Sequence, residues 1–201
     1  MFAYISGSLE NKSNNSVIVE KGGIGYRIFM PMKAIEKLPE IGKNVKIYTY
    51  YYVREDNISL YGFNTTEELK MFELLLSVSG IGAKSAIVMV SEISPSKFAL
   101  DVIGGDVSGL VKVPGIGNKT AQRIILELKD KLKTESAIIK PEIEHEYANN
   151  GKNDDVLEEA IAALQVLGYN KKDIENAIQK IEIKDLKVED IIRKTLVILA
   201  N

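Results

Sequence analysis

Gly80-Ile81-Gly82-Ala83-Lys84-Ser85-Ala86 and Gly115-Ile116-Gly117-Asn118-Lys119-Thr120-Ala121 are two copies of one signature, 35 residues apart from Gly80 to Gly115. A hydrophobic residue precedes each copy, Val78 in the first and Val113 in the second, and each copy runs straight into a helical pattern. The spacing predicts two helices joined by a tight glycine loop, built twice. Glycine has no Cβ, so its backbone adopts positive φ and comes very close to a ligand. The amides that open a helix lack internal partners and carry the positive end of the macrodipole, which makes each helix start an anion site. Lys84 and Lys119 add a mobile cation just past each loop. A phosphate is the ligand this pattern fits.

Nucleotide-binding loops fail on spacing. A P-loop has Gly immediately before its Lys, where this chain has Ala83 and Asn118. A dinucleotide fingerprint needs a third glycine three places after the second, and a preceding strand; Ser85 and Thr120 stand there instead, after a helix. A lone Gly-x-Gly is most often a plain turn between helices. Two copies, each with Lys two places after the second glycine and Ala two further on, favour phosphate. The arrangement resembles the paired helix-hairpin-helix module, which clamps the backbones of duplex DNA without reading base sequence.

Outward from the loops toward the amino terminus, residues 1–63 read as strands. Phe2–Leu9, Ser16–Glu20, Ile24–Met30, Asn44–Val53 and Ile58–Phe63 are rich in Val, Ile, Tyr and Phe with Gly or polar punctuation between them. Five strands, with a short helix over Met32–Leu38 after Pro31, are the count of an OB barrel. Tyr48, Tyr50, Tyr51 and Tyr52 suit cross-strand packing better than base stacking. Arg54-Glu55-Asp56-Asn57 is a charged hairpin tip between the last two strands, and by itself reads as a solvated turn. Opposite DNA, its adjacent carboxylates would repel phosphates and wedge strands apart.

Residues 64–133 read as helices. Thr65 with Glu68 makes a capping box ahead of Leu69, Phe72, Leu75 and Leu76. Ala83–Ile93 and Pro95–Ile103 follow, the latter ended by Gly104-Gly105. The helix over Asn118–Lys133 puts Lys119 and Arg123 at helical spacing, so Arg123 is expected to support Lys119 at the phosphate. Residues 134–153, with Pro141, the acidic Glu142, Glu144 and Glu146, and Asn149-Asn150-Gly151, read as a linker spanning about 25 Å if flexible. The one histidine, His145, falls there and is no candidate ligand. Three short amphipathic helices complete the chain, over Val156–Leu167, Lys171–Lys180 and Val188–Leu199. The turn at Leu167-Gly168-Tyr169 looks like that of ubiquitin-associated domains. Leu164, Leu167 and Tyr169 stand equally as a partner-binding face and as that small domain's own core.

The 201 residues carry a formal charge of −2, unevenly placed. Lys plus Arg outnumber Asp plus Glu 8 to 6 over residues 1–63 and 9 to 8 over 64–134, and are outnumbered 9 to 14 over 135–201. Such weak basicity predicts a few aimed contacts with nucleic acid rather than coating by bulk charge. With no Cys there is no disulfide, thiolate nucleophile or cysteine metal site. The absence of a basic, apolar leader and of any membrane-length apolar run leads us to expect a cytoplasmic address without membrane contact. No catalytic residue, metal ligand or cofactor is assigned.

Barrel, charged tip, paired hairpins, linker and three-helix tail, in this order, resemble the RuvA family over essentially the full length. The parts that carry the likeness are Arg54-Glu55-Asp56 followed by Leu60-Tyr61-Gly62-Phe63, then Gly80-Ile81-Gly82-Ala83-Lys84, then Val113-Pro114-Gly115-Ile116-Gly117-Asn118-Lys119-Thr120-Ala121. The resemblance implies an α+β multidomain protein that binds Holliday junctions in recombination and repair, as a homotetramer or two stacked tetramers. It implies that Glu55 and Asp56 form an acidic pin beside the junction-facing Arg54. Gly80, Gly82, Lys84, Gly115, Gly117, Asn118, Lys119 and Arg123 would grip duplex backbones. It also implies that residues 154–201 recruit a RuvB-type hexameric ATPase, with a RuvC-type resolvase in the wider complex. Asn118 departs from the family's usual lysine, which predicts a weaker hold at the second loop. Paired hairpins also occur in structure-specific nucleases and repair lyases, and a pure protein adaptor is the third class; junction cleavage with magnesium, and competition between junction and linear duplex, separate these.

Overall fold

Alternating apolar and polar residues build the amino-terminal strands. In β4 (Asn44–Val53), Val45, Ile47 and Thr49 point inward, while Lys46 stays outside with its ammonium 4.4 Å from the Tyr4 ring centre and 4.9 Å from that of Tyr48. With β1 (Tyr4–Lys12), β2 (Ser16–Lys21), β3 (Ile24–Phe29) and β5 (Ile58–Phe63) it closes a barrel in the order β1-β2-β3-β5-β4. Neighbours are antiparallel except β3 and β5, which run parallel and meet at Phe29 opposite Tyr61. Leu9, Val17, Val19, Ile28 and Ile47 fill the interior. Gly62 leaves room for them: a Cβ there would lie 2.4 Å from Ile28 Cγ2 and 2.7 Å from Ile47 Cγ2. β1 runs past the expected end at Leu9, because a bulge between Leu9 and Asn11 absorbs a residue and pairing resumes with Asn11 opposite Ile18.

The computed structural model describes residues 1–55, 57–138, 153–183 and 186–200. They gather into two units, residues 1–77 with 81–94 and residues 78–80 with 95–201. The first unit holds the barrel, the short helix α1 (Met32–Glu36), α2 (Thr66–Leu76) and α3 (Ala83–Glu92). Thr65 caps α2 by accepting from the Glu68 amide at 3.2 Å, and the Glu68 carboxylate reaches back to the Asn64 amide at 2.9 Å. The box is one residue wider than the usual form, in which the return bond goes to the capping residue itself. Phe72 of α2 is fully buried and meets Phe63, Tyr61 and Tyr50 at ring separations of 4.9, 5.3 and 5.4 Å. Tyr51 stacks edge-on to Phe2 and Tyr52 to Tyr61, so the tyrosine run packs across strands as its pattern suggested. Burial first, then the neighbouring Tyr52, pushes the Tyr61 phenol up.

The second unit contains α4 (Pro95–Gly104), α5 (Val107–Val111), α6 (Asn118–Ile138), α7 (Asn153–Val166), α8 (Lys171–Ile178) and α9 (Val188–Leu199). α6 continues beyond Lys133 to Ile138, since no Gly or Pro interrupts the pattern until Pro141; of the expected linker, residues 139–152 lie outside the described residues. The tail helices bury Leu164, Ile174, Ile191 and Leu196 among themselves and pack on α4 and α6. There the Tyr169 and Ser96 hydroxyls stand 2.8 Å apart. No described helix is long and apolar enough to cross a membrane.

Candidate nucleic-acid interface

The two signatures fold alike. Gly80 and Gly115 have φ of 83° and 84°, the left-handed region where a side chain is strained. Two residues on, Gly82 and Gly117 start the helices, their carbonyls accepting from Ala86 and Ala121, each at 2.9 Å. The isoleucine between the glycines is the anchor: Ile81 and Ile116 are buried, as are Val78 and Val113 before the loops and Ala86 and Ala121 after them. Burying these small and branched groups turns the remaining positions outward. Gly80, Gly82, Lys84, Gly115, Gly117, Asn118, Lys119 and Arg123 are all exposed.

No side chain caps α3, and a Cβ on either Gly82 or Gly117 would meet nothing within 4 Å. Each loop thus leads into an exposed helix start, with Lys84 and Lys119 two residues past Gly82 and Gly117. Exposed amides at a helix start beside an ammonium are the chemistry of an anion site.

Arg123 stands elsewhere than its spacing suggested. Its Nη1 donates to the Ser79 carbonyl at 3.3 Å, in the first loop, rather than serving only the second loop beside Lys119. The helix expected before the second loop is α5, a single turn whose bounds periodicity does not give. Its signal was Asp106, whose carboxylate accepts from the Ser108 and Gly109 amides at 2.9 and 3.2 Å as an N-cap. Hydrogen bonding from the Ser108 hydroxyl, then from the Gly109 amide, holds the Asp106 carboxyl below the usual range. Behind the cap, Gly109 abuts the buried Asp101, which pairs with Lys97; a Cβ at 109 would lie 2.3 Å from Asp101 Oδ2. That hydrogen bond is the main reason the Lys97 ammonium is pushed up.

At the β4–β5 tip, Arg54 and Asn57 exchange backbone hydrogen bonds of 2.8 and 3.4 Å, and Glu55 is exposed. Asp56, the other expected pin carboxylate, lies outside the described residues. Arg54 is exposed but rests on Tyr52, its Nε donating to the phenol at 3.0 Å and its guanidinium 5.2 Å from the ring centre. In the tail, Leu164, Leu167 and Tyr169 are buried. That burial favours the core alternative, and the Tyr169 hydroxyl meets Ser96 of α4, outside the three tail helices.

Family models match three stretches of the chain. The family model described as the RuvA N terminal domain matches residues 1–62, a SAM-like helix-hairpin-helix tandem matches 72–130, and the RuvA C-terminal domain matches 155–200. A Ruminiclostridium cellulolyticum protein named Holliday junction branch migration complex subunit RuvA is 51% identical over 196 residues, covering 98% of both chains. The chain belongs to the RuvA family. A protein of the same name from Acetivibrio thermocellus is 51% identical over the full length of both chains, and one from Clostridium perfringens is 41% identical over 99% of each. The RuvA fold is thus an α+β assembly of a five-stranded OB-type barrel, a helix-hairpin-helix tandem and a three-helix carboxy-terminal domain.

Proposed function

We propose that this chain binds four-way DNA junctions by their backbones, independently of sequence, and holds them open for a ring ATPase of the RuvB type that supplies the work of branch migration in recombination and repair. The observation that carries the reading is the twin loop. Two exposed helix starts share one backbone geometry, and at α3 no capping side chain competes for a phosphate. Gly80, Gly82 and Lys84 take one stretch of backbone, with Arg123 bonded to the Ser79 carbonyl at that loop; Gly115, Gly117, Asn118 and Lys119 take another. Each charge-assisted bond to phosphate contributes on the order of 1.5–3 kcal/mol, so a few suffice per arm.

Four copies arranged around the junction, alone or as two stacked tetramers, would bring four tips to its centre. There Glu55 and Asp56 repel phosphates and disfavour re-pairing of the original duplexes, with Arg54 beside them. Because no base is read, the junction slides. The tail carries the motor contact, and an open groove between the segment after α8 and the helix α9, lined by Ile181, Arg193, Val197 and Ile198, offers a surface for it. A RuvC-type resolvase would act on the same open junction.

Gel-shift competition tests this: a labelled four-way junction should be displaced by unlabelled junctions of any sequence and poorly by linear duplex. Equal competition by duplex would overturn the reading. Light scattering with junction should give a particle of four or eight protomers, and incubation with magnesium should leave the junction uncut.

A further inference from the structure

The Ser79 peptide is held from both sides by one helix. Its amide donates to Glu127 Oε2 at 3.0 Å and its carbonyl accepts from Arg123 Nη1 at 3.3 Å. Both partners lie on α6, one turn apart, 44 and 48 residues beyond Ser79. Arg123 also lies against the next residue, since a Cβ on Gly80 would stand 3.3 Å from Nη1, whereas one on Gly115 would meet nothing within 4 Å.

The second loop needs no such hold. At the 35-residue offset, Ser79 corresponds to Pro114. Proline fixes its own φ and has no amide proton, so the chain entering Gly115 is restrained covalently and leaves no donor to satisfy. Ser79 has neither property. Its amide needs an acceptor, and the entry to Gly80 needs a restraint.

From this we infer that Glu127, with Arg123 as the opposite jaw, is a positioning residue for the first DNA loop: a carboxylate on the helix of the second hairpin sets the geometry of the first. The inference rests on the proposed backbone grip. It makes a claim of opposite sign to plain electrostatics, because an acidic group beside a phosphate site weakens binding through its charge, and removing it should then tighten the complex.

The test measures junction affinity of the full-length protein over a range of salt concentrations. Glu127→Gln keeps an oxygen acceptor and loses the charge; it should bind at least as tightly as wild type. Glu127→Ala loses the hold and should bind roughly fivefold more weakly, the effect of one hydrogen bond of ordinary net strength. The slope of log affinity against log salt should not change for either variant, since loss of a direct phosphate contact would shift it by about 0.9. Amide exchange at Ser79 and Gly80 should accelerate in the alanine variant while global unfolding stays put. An alanine variant that binds as tightly as wild type, or more so, overturns the inference. So does an unprotected Ser79 amide in the wild-type protein, a measurement that does not depend on any variant folding. If the wild type itself shows no preference for junctions, the proposed function fails; if it does and the alanine variant is unweakened, only the role of Glu127 fails.

Discussion

Tyr169 and Ser96, 73 residues apart, join their hydroxyls at 2.8 Å, tying the turn between α7 and α8 to the first turn of α4. Tyr169→Phe keeps the ring and deletes the bond. Its expected cost is about 1 kcal/mol, read as faster amide exchange in the first turn of α4 and a lower urea midpoint. Unchanged exchange there would mean that the bond adds nothing to the attachment.

The matching φ values of Gly80 and Gly115 predict unequal consequences for alanine. Each substitution forces a Cβ into the left-handed region at about 1–2 kcal/mol. Gly115→Ala should cost no more than that, because the space around it is open. Gly80→Ala also presses on Arg123 and should loosen the Ser79 peptide, so it should weaken junction binding more than Gly115→Ala does. Denaturant titration and gel shift on the pair check both halves; identical affinities would contradict the asymmetry.

The cap on α5 predicts a pH dependence. The Asp106 carboxyl is held below its ordinary value by the Ser108 hydroxyl and the Gly109 amide. A depressed folded-state value means that the unfolded chain binds the proton more readily. The cap's contribution is therefore complete above the unfolded value and disappears as pH falls through the folded one. Asp106→Asn keeps an acceptor without the titration. The stability gap between wild type and this variant should be widest near neutrality and close in acid; a gap constant with pH would contradict the assignment.

For the tip, replacing both carboxylates with E55Q and D56N should leave junction affinity nearly intact and alter the rate at which the ATPase partner drives migration. Migration kinetics measured at several salt concentrations give the answer. Rates equal to wild type throughout would remove the pin from the mechanism.

How much of this was legible beforehand differs by residue. The strands, the 35-residue repeat and most helix starts follow from periodicity, glycine and capping residues, all of which act within a few positions along the chain. Short-range rules imply a helix before the second loop but give no bounds for α5, where one turn offers no period to detect, and they place Arg123 only by its helical neighbours. Leu164, Leu167 and Tyr169 are undecidable at that level, because an apolar stripe looks the same whether a partner or its own chain covers it; the structure buries all three.

Sequence alone determined the barrel, the twin glycine loops and the outward lysines, because left-handed glycines and the helix starts that follow them are local backbone properties. Tertiary structure alone decided that Glu127 and Arg123 hold the Ser79 peptide and that Tyr169 meets Ser96. Those partners stand 44 to 73 residues apart, and only the packing of helices brings them within hydrogen-bonding reach.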